Sequence, residues 1–211
     1  MKYEIIITKK KVKYLRMKVK DGKVLISSPF GVSKDRIDKF ILDNQEFIKK
    51  SLIKQQIKKE IETINYNDEI MILNKKYQVL ETSLASKVTE HFIFIKQGLD
   101  IKKEIKRLFK NELLIKLTEL TKYYFYNMPF TCEFPSIIIK DVKSKWGSYW
   151  KDKHKIEYSS NLLFKDERTY HYLVVHELAH IIEFNHSSKF YDIVKMYCPN
   201  YKQLRNELKG R

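Results

Sequence analysis

The residues best suited to chemistry in this chain form the run His176-Glu177-Leu178-Ala179-His180. Two histidines four positions apart lie on one face of a helix, so their imidazoles can converge on a single ion. Zinc binds neutral imidazole nitrogens at about 2.0–2.1 Å, which suits this spacing. Glu177 directly follows the first histidine and lies near the ion without having to bind it. The pattern predicts a metal site in which Glu177 is the general base that takes a proton from the bound water.

A third histidine completes the predicted ligand set. A catalytic zinc site has three protein ligands and one open position. His186 follows His180 after five residues, which is enough chain to leave the helix and fold back. Asn185 tolerates left-handed backbone, so a turn at Phe184-Asn185 is chemically reasonable. The sequence therefore predicts one Zn²⁺ per chain, held by His176, His180 and His186.

A purely structural role for these histidines is the alternative. The helix around them is almost wholly apolar, which indicates that it is buried. Two buried histidines and a buried glutamate need polar partners, because unpaired polar burial is costly, and a shared metal supplies one. The apolar neighbours are Val174, Val175, Leu178, Ala179, Ile181 and Ile182.

The predicted elements around this run alternate between strands and helices. The metal helix is expected over 167–184, with Asp166 as its N-cap, and a long amphipathic helix over 100–125. Ser33 is expected to cap a helix that a second helix follows at 44–61, and Asp21-Gly22 predicts a hairpin turn. Strands are expected at 3–8, 12–19, 23–28, 69–73, 76–82, 88–96, 136–142, 145–150 and 155–160. The pattern predicts an α+β chain with an N-terminal α+β unit at 1–98 and a second domain at 99–211.

Charge and composition restrict the function classes. Lys and Arg number 42 against 26 Asp and Glu, for a net charge of +16. This excess can attract nucleic acid or nucleotides, or it can reflect the Lys-, Ile- and Asn-rich composition that an AT-rich genome encodes. Two cysteines exclude a disulfide scaffold. The apolar runs are too short to span a bilayer, and no secretory signal is visible, so we expect a cytoplasmic protein and no membrane partner.

The C-terminal third resembles the YgjP-like metallopeptidases, which are zincins related to the WLM and SprT-type proteases. The matching stretches follow in order over about 140–205, and the N-terminal strands ending at Ser28-Pro29 are similar in a less specific way. Glu183 stands where metzincins have glycine, so the YgjP-like arrangement fits better than a metzincin turn. The stretches are Lys145-Trp146-Gly147-Ser148, Tyr158 to Asn161, His176 to His180, Asn185-His186-Ser187 with Phe190, and Cys198 to Lys202.

The resemblance implies a zincin-like catalytic domain built from a long helix, a small antiparallel or mixed sheet and the H-E-x-x-H helix. It implies that Trp146, Gly147 and Ser148 border the cleft as an edge strand that pairs with an extended peptide. We therefore expect a zinc-dependent metallopeptidase that acts on a peptide or protein substrate. Two alternatives stay open, namely a metal-dependent hydrolase of nucleotide phosphoanhydrides and a DNA-associated protease with a basic N-terminal binding unit.

Overall fold

The computed structural model describes residues 3–209 of the chain, together with their side chains except those of Lys54, Gln56 and residues 57–62. The architecture is α+β, as the sequence predicts. The chain divides into two compact units, Met1–Thr63 and Ile64–Arg211. Within residues 3–209, no helix combines the length and the apolar character that a membrane span needs.

The first unit is a three-stranded sheet with two helices. Its strands are β1 (Glu4–Lys9), β2 (Arg16–Lys20) and β3 (Lys23–Ser28), in the order β1-β3-β2. Asp21 and Gly22 both have positive φ and form the predicted turn between β2 and β3. Helix α1 (Lys34–Asp43) begins after Ser33, whose side chain accepts a hydrogen bond from the Arg36 N–H, and α2 (Gln45–Glu62) follows. The core of this unit is formed by Val19, Val24, Ile26, Ile37, Ile48 and Leu52.

The second unit begins with a four-stranded sheet in the order β4-β5-β7-β6. The single strand expected over 88–96 is instead two strands joined by a tight turn. In that turn the Thr89 hydroxyl accepts a hydrogen bond from the Phe92 N–H at 3.2 Å, a local contact that competes with continued strand pairing. The strands are β4 (Glu69–Ile72), β5 (Lys75–Thr82), β6 (Lys87–Val88) and β7 (Phe92–Lys96).

The division between the units lies at 63/64, whereas the sequence analysis places the domain boundary at 98/99. The difference has a physical cause, because the sheet β4-β5-β7-β6 shares one apolar core with the following helix. Val79 and Ile93 from the sheet lie in the same buried cluster as Phe109 and Leu113. Hydrophobic patterning places residues on a core-facing side but does not say which partner covers that side.

Helix α3 (Ile101–Asn127) runs through this core and matches the predicted long helix. Asp100 caps its N-terminus, because the Asp100 carboxylate accepts a hydrogen bond from the Lys103 N–H at 2.8 Å. Its buried side chains recur every four residues, which places them along one face of the helix. They include Ile105, Phe109, Leu113, Leu117, Thr121 and Phe125.

A three-stranded mixed sheet and three helices complete the second unit. Strand β10 (Lys155–Ser159) lies in the centre, parallel to β8 (Ser136–Lys140) and antiparallel to β9 (Gly147–Trp150), so β9 is an edge strand. Helix α4 (Arg168–Ile182) contacts both α3 and β9. Two further helices follow, α5 (Ser188–Tyr197) and α6 (Tyr201–Lys209). These elements position the residues that the sequence singles out.

Candidate metal centre

Three histidines converge at the C-terminal end of α4. Each of His176, His180 and His186 offers one ring nitrogen, and these nitrogens all lie within 4.8 Å of one another. The ring centroids are 5.0 Å apart for His176 and His180, 5.0 Å for His176 and His186, and 4.8 Å for His180 and His186. The three rings that the sequence proposes as ligands are therefore neighbours.

The chain returns to the centre by a short extended segment. Helix α4 ends at Ile182, and Glu183 has an extended backbone with φ −130° and ψ 106°. Asn185 does not adopt the left-handed conformation that the sequence analysis considers for this turn, because its φ is not positive. An extended path needs no left-handed residue, and it brings His186 to the N-terminal end of α5, where the Ser187 side chain accepts a hydrogen bond from the Phe190 N–H.

Phe190 packs against all three imidazoles. Its ring centroid lies 4.9 Å from that of His176, 4.6 Å from His180 and 4.8 Å from His186, and the side chain is fully buried. The sequence alone predicts no role for Phe190. Its position three residues after the cap Ser187 places it in the first turn of α5, below the rings. Phe190 thus forms an apolar base that restricts the orientation of the three rings.

The donor set fits a metal ion such as zinc. His176 Nε2 and His186 Nε2 lie 3.1 Å apart, close to the separation of about 3.3 Å between two nitrogens bound tetrahedrally at about 2.0–2.1 Å. His180 Nδ1 is buried and makes no hydrogen bond of ordinary geometry within residues 3–209. Three imidazoles without a thiolate are a donor set that suits zinc, copper, iron and nickel.

The environment of His176 and His180 favours their neutral form. Burial, followed by the influence of His180 and His186, lowers the pKa of His176 to about 3. Burial and His186 lower the pKa of His180 as well, and the backbone at Glu183 and Phe184 partly opposes this shift. A neutral imidazole has a free lone pair, which is the form that binds a metal.

Tyr172 contacts the first histidine from the preceding turn of α4. Its hydroxyl lies 3.4 Å from His176 Nδ1, and the two ring centroids are 5.5 Å apart. Burial, as the largest influence, raises the pKa of Tyr172 to about 12, so the phenol stays protonated at neutral pH. A partner at Nδ1 orients the ring and leaves Nε2 free to bind a metal. The spacing of four residues between Tyr172 and His176 is the sequence signal that could have identified this contact.

Glu177 lies in a buried position beside β9. Its side chain is 4% exposed, and its Oε2 accepts a hydrogen bond from the Tyr149 backbone N–H at 2.8 Å. Burial raises the pKa of Glu177 to about 8, while the Tyr149 N–H and the charge of Lys145 act in the opposite direction. A carboxyl group with a pKa near neutrality can both take and give a proton under ordinary conditions.

The three residues predicted to bind substrate, at and before the start of β9, have different surroundings. Gly147 lies directly against Glu177, since a Cβ at that position would come within 2.5 Å of Glu177 Oε1. Ser148 lies opposite Glu157 on β10. Trp146 precedes the strand, is partly buried against the main core, and has Lys165 Nζ 5.2 Å from its ring centroid. Their role in substrate binding stays a prediction, and Gly147 is packed directly against the proposed general base.

The remaining histidines lie outside the centre. His154 Nδ1 is 3.1 Å from the Tyr149 hydroxyl, and its Nε2 is 2.6 Å from the Glu133 carbonyl oxygen. His171 Nδ1 is 2.9 Å from the Tyr124 hydroxyl. His91 is paired with Glu90 at 3.8 Å. Each of these contacts is made with a residue other than the three histidines of the centre.

Comparisons with known proteins identify the family. A search of curated proteins returned no match. Among solved structures, part of the chain is similar to the metallopeptidase zymogens jannalysin of Methanocaldococcus jannaschii and abylysin of Pyrococcus abyssi. Jannalysin is 20% identical to this chain with a TM-score of 0.40, and the alignment covers 44% of this chain and 94% of jannalysin. Abylysin is also 20% identical, with a TM-score of 0.36, and the alignment covers 46% of this chain and 90% of abylysin. The YgjP-like family, in its metallopeptidase domain, matches residues 13–211. The chain therefore belongs to the YgjP-like metallopeptidase family.

Proposed function

We propose that this protein is a zinc-dependent peptidase in which His176, His180 and His186 hold one Zn²⁺ and Glu177 is the general base and acid. The observation that carries the proposal is the convergence of the three ring nitrogens within 4.8 Å of one another, next to a buried carboxyl group. Membership of a metallopeptidase family supports the same reaction class.

The chain's own residues supply the proton transfers. Zinc bound by the three imidazoles would polarise the peptide carbonyl and lower the pKa of water. Glu177 takes the proton as water attacks the carbonyl carbon, and it then delivers that proton to the leaving amide nitrogen, so the peptide bond breaks and the proton balance closes. The Tyr149 N–H holds Glu177 Oε2 in place during both transfers. Burial excludes bulk water from the carboxyl group, which keeps its pKa suited to both roles.

The nitrogen donors of the three imidazoles favour zinc over harder ions. Magnesium and calcium prefer oxygen ligands, and residues 3–209 contribute no carboxylate to the group of three histidines. His186 is exposed, whereas His176 and His180 are partly buried. The side of the centre next to His186 is therefore where a substrate carbonyl can approach.

The test combines metal analysis with a peptide assay. Glu177→Gln should keep one zinc per chain and lose peptide cleavage by about 10³-fold or more, because a neutral amide cannot accept the proton. Glu112→Gln on the exposed surface of α3 is the matched control and should cleave like the parent. Parent-like cleavage by Glu177→Gln would contradict the role of Glu177. If the zinc-bound parent protein releases phosphate from nucleoside triphosphates and cleaves no peptide, the result would favour the nucleotide phosphoanhydride hydrolase over the peptidase.

A further inference from the structure

The outer face of the sheet β8-β10-β9 carries side chains that the proposed reaction does not use. Successive side chains of a strand point to opposite faces. Tyr149 lies opposite the fully buried Ile156 and marks the core side. Ser148 and Trp150 therefore point to the other side, opposite Glu157 and Lys155 on β10. This outer face adjoins the free edge of β9, which lies beside Glu177.

Lysine ammonium groups lie over both tryptophan rings of this region. Lys145 Nζ is 5.0 Å and Lys155 Nζ 5.5 Å from the Trp150 ring centroid. Lys165 Nζ is 5.2 Å from the Trp146 ring centroid. We call these five residues the lysine–tryptophan face.

Two of these lysines keep their positive charge unneutralised. Lys155 forms an ion pair with Glu157 at 2.8 Å, and Lys140 shares the same carboxylate oxygen at 2.7 Å. Lys145 and Lys165 form no ion pair with any carboxylate in the described residues 3–209. The segment 140–155 contains six lysines and two aspartates, and Asp141 is already paired with Lys106 at 2.6 Å. The lysine–tryptophan face therefore carries more positive charge than the neighbouring carboxylates neutralise.

A peptide that pairs with the free edge of β9 would place every second side chain on this face. The alternation of side chains along a strand applies to the added peptide as well as to β9. Those side chains would lie next to the ammonium groups of Lys145 and Lys165. The opposite side chains would point toward the side on which Glu177 lies.

We propose that the lysine–tryptophan face selects acidic peptides, with Asp or Glu at alternate positions next to the scissile bond. This inference rests on the peptidase function proposed above and names its substrate class. Carboxylates of the substrate pair with Lys145 and Lys165, and the tryptophan rings hold those ammonium groups in position by cation–π contact.

The same face is less suited to nucleic acid. Base stacking requires an open aromatic ring face, whereas Trp150 has two ammonium groups over its ring and Trp146 is partly buried. Arginine, whose planar fork is the usual reader of phosphates and bases, does not occur in the segment 140–165. An acidic peptide can pair with these ammonium groups without displacing them from the tryptophan rings.

Tryptophan fluorescence gives a direct test, because Trp146 and Trp150 are the two tryptophans of the chain. The zinc-loaded Glu177→Gln protein would be titrated with a peptide that has two glutamates at alternate positions and with the same peptide carrying glutamines. We expect the glutamate peptide to bind about tenfold more tightly, with the difference shrinking as salt is raised. Lys145→Gln and Lys165→Gln should each reduce that ratio by about two- to fivefold.

Lys87→Gln is the matched control, because Lys87 Nζ lies 5.4 Å from the Phe94 ring centroid in the other sheet of the same unit. It removes the same charge and the same kind of contact, and it should leave the ratio unchanged. Equal affinity for the two peptides would overturn the proposal, as would a single-stranded oligonucleotide that binds with the affinity of the glutamate peptide. A cleavage assay with the parent protein distinguishes this outcome from failure of the peptidase function. Equal cleavage of both peptides would contradict only the preference for acidic peptides. Tight binding of the glutamate peptide without any cleavage would support the role of the lysine–tryptophan face and contradict the peptidase function.

Discussion

Gly147 and Glu177 are packed so closely that no side chain fits between them. A Cβ on Gly147 would lie 2.5 Å from Glu177 Oε1 and 2.9 Å from its Cδ. The other oxygen of the same carboxylate accepts the Tyr149 N–H at 2.8 Å. The absence of a side chain at Gly147 and the backbone amide two residues later together hold the carboxyl group against β9.

We expect Gly147→Ala to lower the free energy of unfolding by about 1–3 kcal/mol, because the new methyl group overlaps the Glu177 carboxylate. Peptide cleavage should fall mainly in kcat, since the carboxylate is displaced rather than the substrate. The cost should be smaller when the alanine is introduced together with Glu177→Ala, which vacates the space. A double-mutant cycle by chemical denaturation measures this coupling. If Gly147→Ala lowers the free energy of unfolding equally with and without Glu177→Ala, the close contact does not contribute to the destabilisation.

His186 is the third ligand of the proposed zinc site. His186→Ala should lower zinc affinity by more than about 100-fold, because the loss exceeds the 10- to 100-fold cost of removing an outer hydrogen-bond partner. Metal content per chain after dialysis against a weak chelator measures the effect. His154→Ala is the control, since His154 contacts Tyr149 and Glu133 instead of the centre. Full zinc retention by His186→Ala would remove His186 from the ligand set.

Tyr172 is expected to orient His176 through its hydroxyl. Tyr172→Phe keeps the buried ring and removes the oxygen near His176 Nδ1, so zinc affinity should fall about tenfold without loss of the fold. Tyr124→Phe removes a phenol oxygen that contacts His171 instead, and zinc affinity should not change. Competition with a chromogenic chelator gives both affinities. A smaller effect of Tyr172→Phe than of Tyr124→Phe would contradict the orienting role.

Glu157 links stability to pH in the sheet that carries β9. Burial raises the pKa of Glu157, but the ion pairs with Lys140 and Lys155 outweigh burial and lower it to about 2. Because the pKa is lower in the folded than in the unfolded chain, the stabilisation is complete above the unfolded value of 4.5 and is lost as pH falls toward about 2. We expect Glu157→Gln to destabilise the protein by about 2 kcal/mol at pH 6 and by less at pH 3.

Denaturation of the metal-free protein at the two pH values checks this prediction, since removing the metal eliminates its own pH-dependent binding. Asp152→Asn, in the turn after β9, is the control for general loss of a carboxylate. A destabilisation by Glu157→Gln that is the same at both pH values would contradict the ion-pair account.

Local sequence signals predicted most of the elements but not all of their boundaries. Ser33 begins α1 as predicted, because its side chain accepts a backbone hydrogen bond. The predicted cap Asp166 is not the N-cap of α4, which follows Glu167 instead. The apolar stripe of α3 follows from its four-residue period. The interruption between β6 and β7 depends on a turn in which both the backbone N–H and the hydroxyl of Thr89 contact Phe92. The division at 63/64 depends on which helix covers a sheet. Neither property is a feature of local periodicity.

The spacing of His176 and His180 predicted that their rings lie together, because helical geometry fixes where residues four apart must lie. His186 lies beyond the helix and was added because a catalytic zinc site needs a third protein ligand. Contacts between distant segments were not accessible in the same way. Phe190 lies below all three rings only because α5 folds back under α4. The approach of Gly147 to Glu177 joins positions 30 residues apart, and a glycine in a strand is compatible with several explanations.

The amide of Tyr149 is already committed to Glu177, and this has a consequence for recognition. A peptide aligned with β9 finds one main-chain donor fewer than an ordinary sheet edge would offer it. Backbone pairing is the part of β-strand recognition that ignores sequence, whereas pockets and charges supply discrimination. For a substrate bound along β9 as proposed, committing that donor to Glu177 would make affinity depend less on main-chain pairing and more on the side chains of the substrate.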